Sequence, residues 1–578
     1  APRRSLRARR TDRRVTGTLD RPAVSSPVER PVRRDRRRWA AVVVALVAWS
    51  IWRAGADPSE LVNERGWSQL RKFFAAMVSP DLSADMVELT VRESAVTVGY
   101  ALVGTALAVA IGVIGGVLLT ERVWSPVHGP MRRGRTGWAT GRILFAVPRS
   151  MHEVVFGLIL VNILGLNPLV AVLAIGIPIG AVTSQVFAEL LDAVPLDAER
   201  SLRASGAGRV TALVVGTVPQ AFGDLLSYAF YRFECSLRSA AVLGIVGAGG
   251  LGFQLALSFQ SLRYEEMWTL LWARILLCGI ADRWSSAVRH RRDALAAETR
   301  VRATPSTATA PADGPSADRF LRLSALVFAL AVPVAWWRLG IDVTSLWDDR
   351  ARRLAGELVA DSWPPEIGDG GVRELLDDSL DTIALAVLSI VLAIALATPL
   401  AFLARRPGRR HAGRGALARR VGAMLLRFVL LIMRSVPPPV WAFVIVFVLF
   451  PGLWPGAVAL AIYNAGVLGR LQGEVLENMD QRPARQLTAT GATAAGALTV
   501  ATVPAVSGRF VALGLYRWEV AVRETVIVGV VGAAGLGRRL DEQTSAFDYD
   551  GILATIVALF VVTIVVDFAS AAIRRTLR

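Results

Sequence analysis

Apolar residues come in blocks long enough to cross a bilayer, separated by short polar segments. A hydrocarbon core takes about 20 residues of helix, and the pattern predicts spans near 39–52, 94–119, 143–164, 168–191, 211–237, 267–288, 320–339, 380–403, 425–450, 456–477, 497–522 and 551–573. The expected fold is an all-α polytopic membrane protein of about twelve transmembrane helices. Loops rich in arginine (Arg122, Arg132, Arg133 and Arg135; Arg405, Arg406, Arg409 and Arg410) alternate with acidic segments (Asp81, Asp85 and Glu88; Asp348, Asp349 and Glu357). By the positive-inside rule the arginine loops and both termini are cytoplasmic. Residues 1–38, rich in Arg and Pro, read as a disordered cytoplasmic tail. The first apolar run lacks a small-residue cleavage site after it, so it reads as an anchor rather than a signal peptide. The Ala/Thr/Pro/Ser-rich segment 293–318 reads as a flexible cytoplasmic linker. It separates a unit at 39–292 from a second at 319–578, with cores at 90–290 and 375–578.

The two units are copies. RSLRASGAGRVTALVVGTVPQAF, YRFECSLR and GIVGAGGLG in the first return as RQLTATGATAAGALTVATVPAVS, YRWEVAVR and GVVGAAGLG in the second, at an offset of 491 − 206 = 285 without a gap. Gly206 corresponds to Gly491, Pro219 to Pro504, Glu234 to Glu519 and Arg238 to Arg523. A constant offset over fifty residues marks a duplicated unit. Six spans in each copy make the repeats parallel, with a pseudo-twofold axis along the membrane normal and a path between the halves.

Composition removes several functions. The net charge of +18 comes from arginine at the ends of apolar spans, which speaks for membrane lipid and against nucleic acid. Lys72 is the sole lysine and follows Arg71, so no phosphate-binding P-loop is present and any ATP hydrolysis belongs to another subunit. Cys235 and Cys278 lie in apolar context, and His128, His152, His290 and His411 have no metal-ligand spacing. No Ser/His/Asp constellation suggests an enzyme. Residues 247–252 match G-x-G-x-x-G, yet no strand precedes them and Ala534 breaks the motif in the second copy. A dinucleotide site needs strand, turn and helix together. Gly247 and Gly252, with Gly532 and Gly537, are instead expected to form a tight re-entrant gate loop on the external side.

On the cytoplasmic side a short helix (196–204; 482–489) is expected to end at Gly206 or Gly491 and turn into the next span. The segment resembles the coupling loop of ABC importer permeases, whose pattern is E-A-A, three residues, Gly, then about a dozen residues to Pro. YRFE with Arg238, the Gly-rich loops, RSMHEVVF (149–156) and RSVPPPVWA (434–442) resemble the phosphonate/phosphate-type permeases in particular. The resemblance implies a type I importer fold with two permease units fused in one chain. It also implies dimeric ABC ATPase subunits that bind ATP and Mg²⁺, an external substrate-binding protein, and a place in a bacterial plasma membrane. Arg200, Ala204 and Gly206, with Arg485, Ala489 and Gly491, would meet the ATPase. Arg200 and Arg485 depart from the pattern, because an acidic residue usually stands there; Glu199 is one residue away in the first copy and Ala484 in the second.

Tyr231, Glu234 and Arg238, like Tyr516, Glu519 and Arg523, recur at i, i+3 and i+7 and so share one helix face. Ionisable groups inside a span face a cavity or a partner. They are either a Glu–Arg pair bracing its own helix or part of a path in which guanidinium donors meet a phosphoryl anion. Arg149 with Ser150, and Arg434 with Ser435, are further path candidates, unless the arginines merely snorkel. The alternative to an ATP-driven anion importer is a twelve-span carrier driven by an ion gradient, which leaves the duplicated elbow without a purpose.

Overall fold

The structure, a computed structural model, describes residues 33–55, 61–124, 135–302, 319–368, 370–405, 416–529 and 532–577. In the first unit the helices are α1 (Arg33–Ala54), α2 (Trp67–Ala76), α3 (Ala84–Leu119), α4 (Arg135–Ser150), α5 (Glu153–Leu164), α6 (Pro168–Ala193), α7 (Asp197–Ala204), α8 (Arg209–Leu243), α9 (Leu251–Gln260) and α10 (Tyr264–Arg302). The second unit repeats them as α11 (Arg319–Leu339), α12 (Asp349–Asp361), α13 (Gly371–Leu403), α14 (Ala416–Ser435), α15 (Pro438–Val446), α16 (Leu453–Asn478), α17 (Arg482–Ala489), α18 (Ala494–Gly529), α19 (Leu536–Ala546) and α20 (Tyr549–Leu577). The 285-residue offset thus holds along nearly the whole chain. Among the described residues the sole β pairing is an isolated bridge between Val62 and Leu449.

Several expectations change. Residues 1–32 and 303–318, and so most of the tail and of the linker, lie outside the described residues. The end of the tail from Arg33 belongs to α1, and residues 293–302 continue α10. Seven helices are long and apolar enough to cross a membrane, or nine if two bent pairs each count as one span. The other three expected spans are α1, α10 and α16. Arg274, Asp282 and Arg283 interrupt the apolar run of α10, and Arg470, Glu474 and Glu477 that of α16.

Spans three and nine are not straight. α4 and α5 meet at 83°, α14 and α15 at 91°. Proline explains both bends. Pro148 removes a helical donor just before the first. Pro437, followed by Pro438, holds an extended backbone (ψ 147°) at the second. Ser150 and Ser435 therefore stand at the elbows of broken spans.

Each half is built on a close helix pair, α3 with α6 and α13 with α16. Small residues permit it. A Cβ on Gly176 would come within 2.4 Å of the Leu107 side chain, and one on Gly112 within 2.5 Å of Thr183. α8 and α10 complete the first half, α18 and α20 the second. The leading helices are exchanged: α1 packs on α13 and α20, and α11 packs on α3. Arg53 at the end of α1 binds Asp381 of α13 at 2.6 Å. Only 6% of the apolar window of α11 is buried, so most of that surface is left for lipid.

Candidate functional site

The repeated elbow is a helix ended by a glycine. Gly206 (φ +91°) and Gly491 (φ +92°) have the left-handed backbone that glycine tolerates. The Ala207 N–H donates to the Leu202 carbonyl at 3.0 Å, as Ala492 does to Leu487 at 3.0 Å. This closes the helix C-terminus in the same way in both copies. A π-turn follows in each, Leu213–Thr217 and Leu498–Thr502, just before Pro219 and Pro504. The widened turn accommodates a ring that cannot donate to the helix.

Arg200, Ala204, Gly206, Arg485, Ala489 and Gly491 are all exposed, so both elbows present a free surface. Their supports differ. Glu199 is turned inward, 3% exposed, with Arg122 at 2.9 Å, Arg203 at 2.7 Å and the Thr217 hydroxyl at 3.2 Å. The acid next to Arg200 is thus a brace under the first elbow. Ala484 gives the second elbow no such brace.

Between the halves run two seams. In the first, α8 and α10 face the α14–α15 bend; in the second, α18 and α20 face the α4–α5 bend. The first seam holds Glu234, 4% exposed. Its Oε1 lies 2.8 Å from Arg470 and 3.7 Å from both Arg434 and Arg238. Asp282 of α10 binds Arg434 at 2.9 Å and also pairs with Arg470. Arg434, 7% exposed, does not snorkel; it crosses between the halves. The i,i+4 brace between Glu234 and Arg238 is the longer contact, and the stronger pairing is to the opposite half. Tyr231 stands beside the aromatic ring of Tyr228 and the guanidinium of Arg232.

The second seam is arranged otherwise. Glu519 pairs with Arg574 of its own half at 2.5 Å, and Arg523 donates to the Arg149 carbonyl at 2.8 Å. A Glu519–Arg523 brace is not formed. Ser150 donates to the Val147 carbonyl at 2.7 Å, whereas the buried Ser435 hydroxyl has no hydrogen-bond partner among the described residues. Tyr516 is 45% exposed and stands within electrostatic reach of Tyr228, Tyr231 and Arg232 of the other half. A cavity lined by Ser150, Met151, His152, Arg523, Leu559 and Thr563 lies here. His152 caps α5 and pairs with Glu153 at 3.1 Å. Among the described residues no group of His, Cys, Asp and Glu has metal-site geometry.

Arg274, Asp282 and Arg470 escaped the sequence reading. The signal was available, because each is an ionisable residue inside an expected span.

The gate loops pair α8 with α9 and α18 with α19. Gly247 (φ +105°), Gly250 (φ +75°), Gly532 (φ +87°) and Gly535 (φ +93°) reverse the chain. A Cβ on Gly252 would stand 1.9 Å from the Ala241 carbonyl oxygen, and one on Gly537 2.8 Å from Val526. Leu251 N–H donates to the Thr97 hydroxyl at 2.9 Å, and Leu536 N–H to Thr382 at 3.0 Å. The loop is a turn followed by a short helix, and no strand precedes the glycine match, so the dinucleotide reading has no scaffold.

A sequence model of the family "Binding-protein-dependent transport system inner membrane component" matches residues 112–289 and again 412–578. The phosphate-import permease protein PhnE of Mycolicibacterium smegmatis is 28% identical over 536 residues, 91% of this chain and 92% of its own length. The phosphite transport system permease protein PtxC of Stutzerimonas stutzeri is 28% identical over 253 residues, 43% of this chain and 87% of its own. PhnE2 of Escherichia coli K12, named for cryptic phosphonate transport, is 32% identical over 117 residues, 20% of this chain and 96% of its own.

Proposed function

This chain belongs to the family of binding-protein-dependent transport system inner membrane components, and from that premise we propose that it supplies the whole membrane path of an ATP-driven importer for a small phosphorus oxyanion. The observation that carries the reading is the pair of seams between the halves, where buried and part-buried guanidinium groups converge from both copies. Guanidinium donors match the charge and geometry of phosphoryl oxygens. The relatives named for phosphate, phosphite and phosphonate transport support the same chemical class.

In this reading each exposed elbow engages one subunit of a dimeric ABC ATPase. That subunit, not this chain, binds ATP and Mg²⁺. An external binding protein delivers the anion at the gate-loop side, and movement of one half against the other passes it along the seams past Arg238, Arg434, Arg149 and Arg523. The elbows, the arginine loops and both termini face the cytoplasm of a bacterial cell.

The test is co-purification with an ATPase subunit, followed by uptake of labelled phosphate, phosphite and methylphosphonate into proteoliposomes with the binding protein present. Uptake that requires ATP hydrolysis is the expected result. Uptake driven by an ion gradient without an ATPase would overturn the reading.

A further inference from the structure

The two seams occupy equivalent places in the repeat, and one residue sets them furthest apart. Arg274 lies on α10 inside the first seam, 2% exposed. Its counterpart at the same offset, 274 + 285 = 559, is Leu559, which lines the cavity of the second seam. Arg274 reaches across the seam: its Nε donates to the Ser435 carbonyl at the α14–α15 bend, and an Nη donates to the Arg238 carbonyl at 3.4 Å. The other Nη is buried and has no hydrogen-bond partner among the described residues. No carboxylate lies within ion-pair distance of it there either. The neighbouring acids are engaged elsewhere, Glu234 and Asp282 with Arg434 and Arg470.

A buried cation without a carboxylate is costly, and it persists in a membrane protein where a ligand or a path requires it. The surroundings are those of an anion receptor. The Ser435 hydroxyl, on the residue whose carbonyl Arg274 binds, is fully buried without a hydrogen-bond partner. The Ser150 hydroxyl in the second seam is engaged with its own helix. Arg238, one turn beyond Glu234, borders the same spot and is held by the seam's carboxylate only at 3.7 Å.

We infer that Arg274, with the Ser435 hydroxyl and Arg238, forms an anion subsite in the first seam, taking the oxygens of a phosphoryl group in transit. The inference rests on the reading of the chain as a phosphorus-oxyanion permease, and it adds a station built on a residue, Arg274, for which the second seam has Leu559. The guanidinium donates through its unengaged Nη while its Nε keeps the bend in place. The serine donates its hydroxyl proton, and no covalent step is involved.

The substitution Arg274→Leu copies the second seam into the first. If Arg274 were only a cross-seam bracket, this change would lower thermal stability, and Arg274→Lys would restore stability and transport together. The subsite predicts a different set of readings in the chain assembled with its ATPase in phosphatidylcholine nanodiscs. Without phosphate, Arg274→Leu sheds a buried cation and loses its bonds to the Ser435 and Arg238 carbonyls; the two changes oppose each other, so its melting temperature stays near that of the wild type. Inorganic phosphate raises the wild-type melting temperature and leaves that of the variant unmoved. In proteoliposomes with the binding protein, kcat/KM for phosphate falls roughly tenfold or more, the loss of one or two charge-assisted hydrogen bonds. Arg274→Lys, which keeps the charge and loses the fork, folds and falls in between. Import by Arg274→Leu within twofold of wild type would overturn the subsite while leaving the permease reading intact. So would a melting temperature raised by anionic lipid and not by phosphate, since the ligand would then be a headgroup. A wild-type complex that imports none of phosphate, phosphite and methylphosphonate would fail the reading itself, and the subsite with it.

Discussion

The two seams start from the same residues and end with different bonds. Glu234 and Glu519 are equivalent, yet Glu234 binds Arg470 of the opposite half while Glu519 binds Arg574 of its own. The cause is one substitution in the partner helix. The residue equivalent to Arg470 is Gln185, which donates to Glu189 at 3.0 Å and carries no charge to offer Glu519. The residue equivalent to Arg574 is Arg289, which donates to Ser285 at 2.6 Å and to Ser286 at 3.1 Å. A duplicated scaffold has thus kept its backbone symmetry and divided its electrostatics. The first seam ties the halves together through buried charges, and the second leaves a cavity between them. In the proposed mechanism, in which one half moves against the other, the first seam would make and break ion pairs and the second would mainly change volume.

The largest effect that separates the seams comes from neutralising the two glutamates. Glu234→Gln leaves Arg434 with Asp282, Arg470 with Asp282 and Glu474, and Arg238 with no ion pair among the described residues. Breaking a buried pair from one side costs roughly 3–5 kcal/mol, so a pronounced fall in thermal stability is expected. Glu519→Gln removes a partner from Arg574, whose side chain is 33% exposed, and solvent replaces much of the lost interaction. The melting temperatures of the two variants in the same nanodisc check this. Equal losses would show that the seams are energetically alike despite their bonds.

Next in size come the elbows, where the copies share a backbone but not a foundation. Gly206→Val and Gly491→Val each place a β-branched residue at positive φ, a strain of roughly 1–2 kcal/mol. A Cβ at either position meets nothing within 4 Å, so the damage is to the elbow's shape and not to packing. Both variants are expected to insert and fold but to lose ATPase recruitment, read by co-purification. Glu199→Gln is expected to weaken recruitment as well, because it loosens Arg122 and Arg203 beneath the first elbow alone.

The repeat, the elbows and the bundle class were legible because each follows from local pattern: apolar length, a glycine that ends a helix, a constant offset. The seams were not. Glu234 and Arg238 sit at i and i+4, so periodicity offered a pair within one helix, while the stronger partner, Arg470, is 236 residues away. The broken spans were missed for a related reason. Averaged over the length of a span, hydropathy stays high across Ser435-Val436-Pro437, so the proline that turns the chain by 91° does not end the apolar window. Arg274 shows the general limit. An arginine in an expected span is visible in the sequence, but that it lacks a carboxylate depends on what the other half places opposite.

A last pair of substitutions tests whether the gate loops have diverged in backbone or only in sequence. In the first loop Gly247, Gly249 and Gly250 all have positive φ; in the second the described residues with positive φ are Gly532 and Gly535, and Ala534, the equivalent of Gly249, is not among them. The first loop therefore takes a left-handed step at residue 249 that the second does not. Gly249→Ala copies the second loop's sequence into the first. A Cβ there would come no nearer than 3.7 Å, the distance to the Tyr100 hydroxyl, so packing does not forbid it. The cost is conformational, roughly 1–3 kcal/mol, because φ +85° with ψ −171° is a backbone region nearly confined to glycine, and it appears as a fall of a few degrees in melting temperature. Ala534→Gly, the reverse change, relieves no such strain and raises the entropy of the unfolded loop, so it is expected to lower stability by a few tenths of that unit up to about 1 kcal/mol. If Gly249→Ala is instead neutral, the first loop has relaxed into the second loop's path. The three-glycine conformation would then be one choice of a pliable turn and not a fixed difference between the halves.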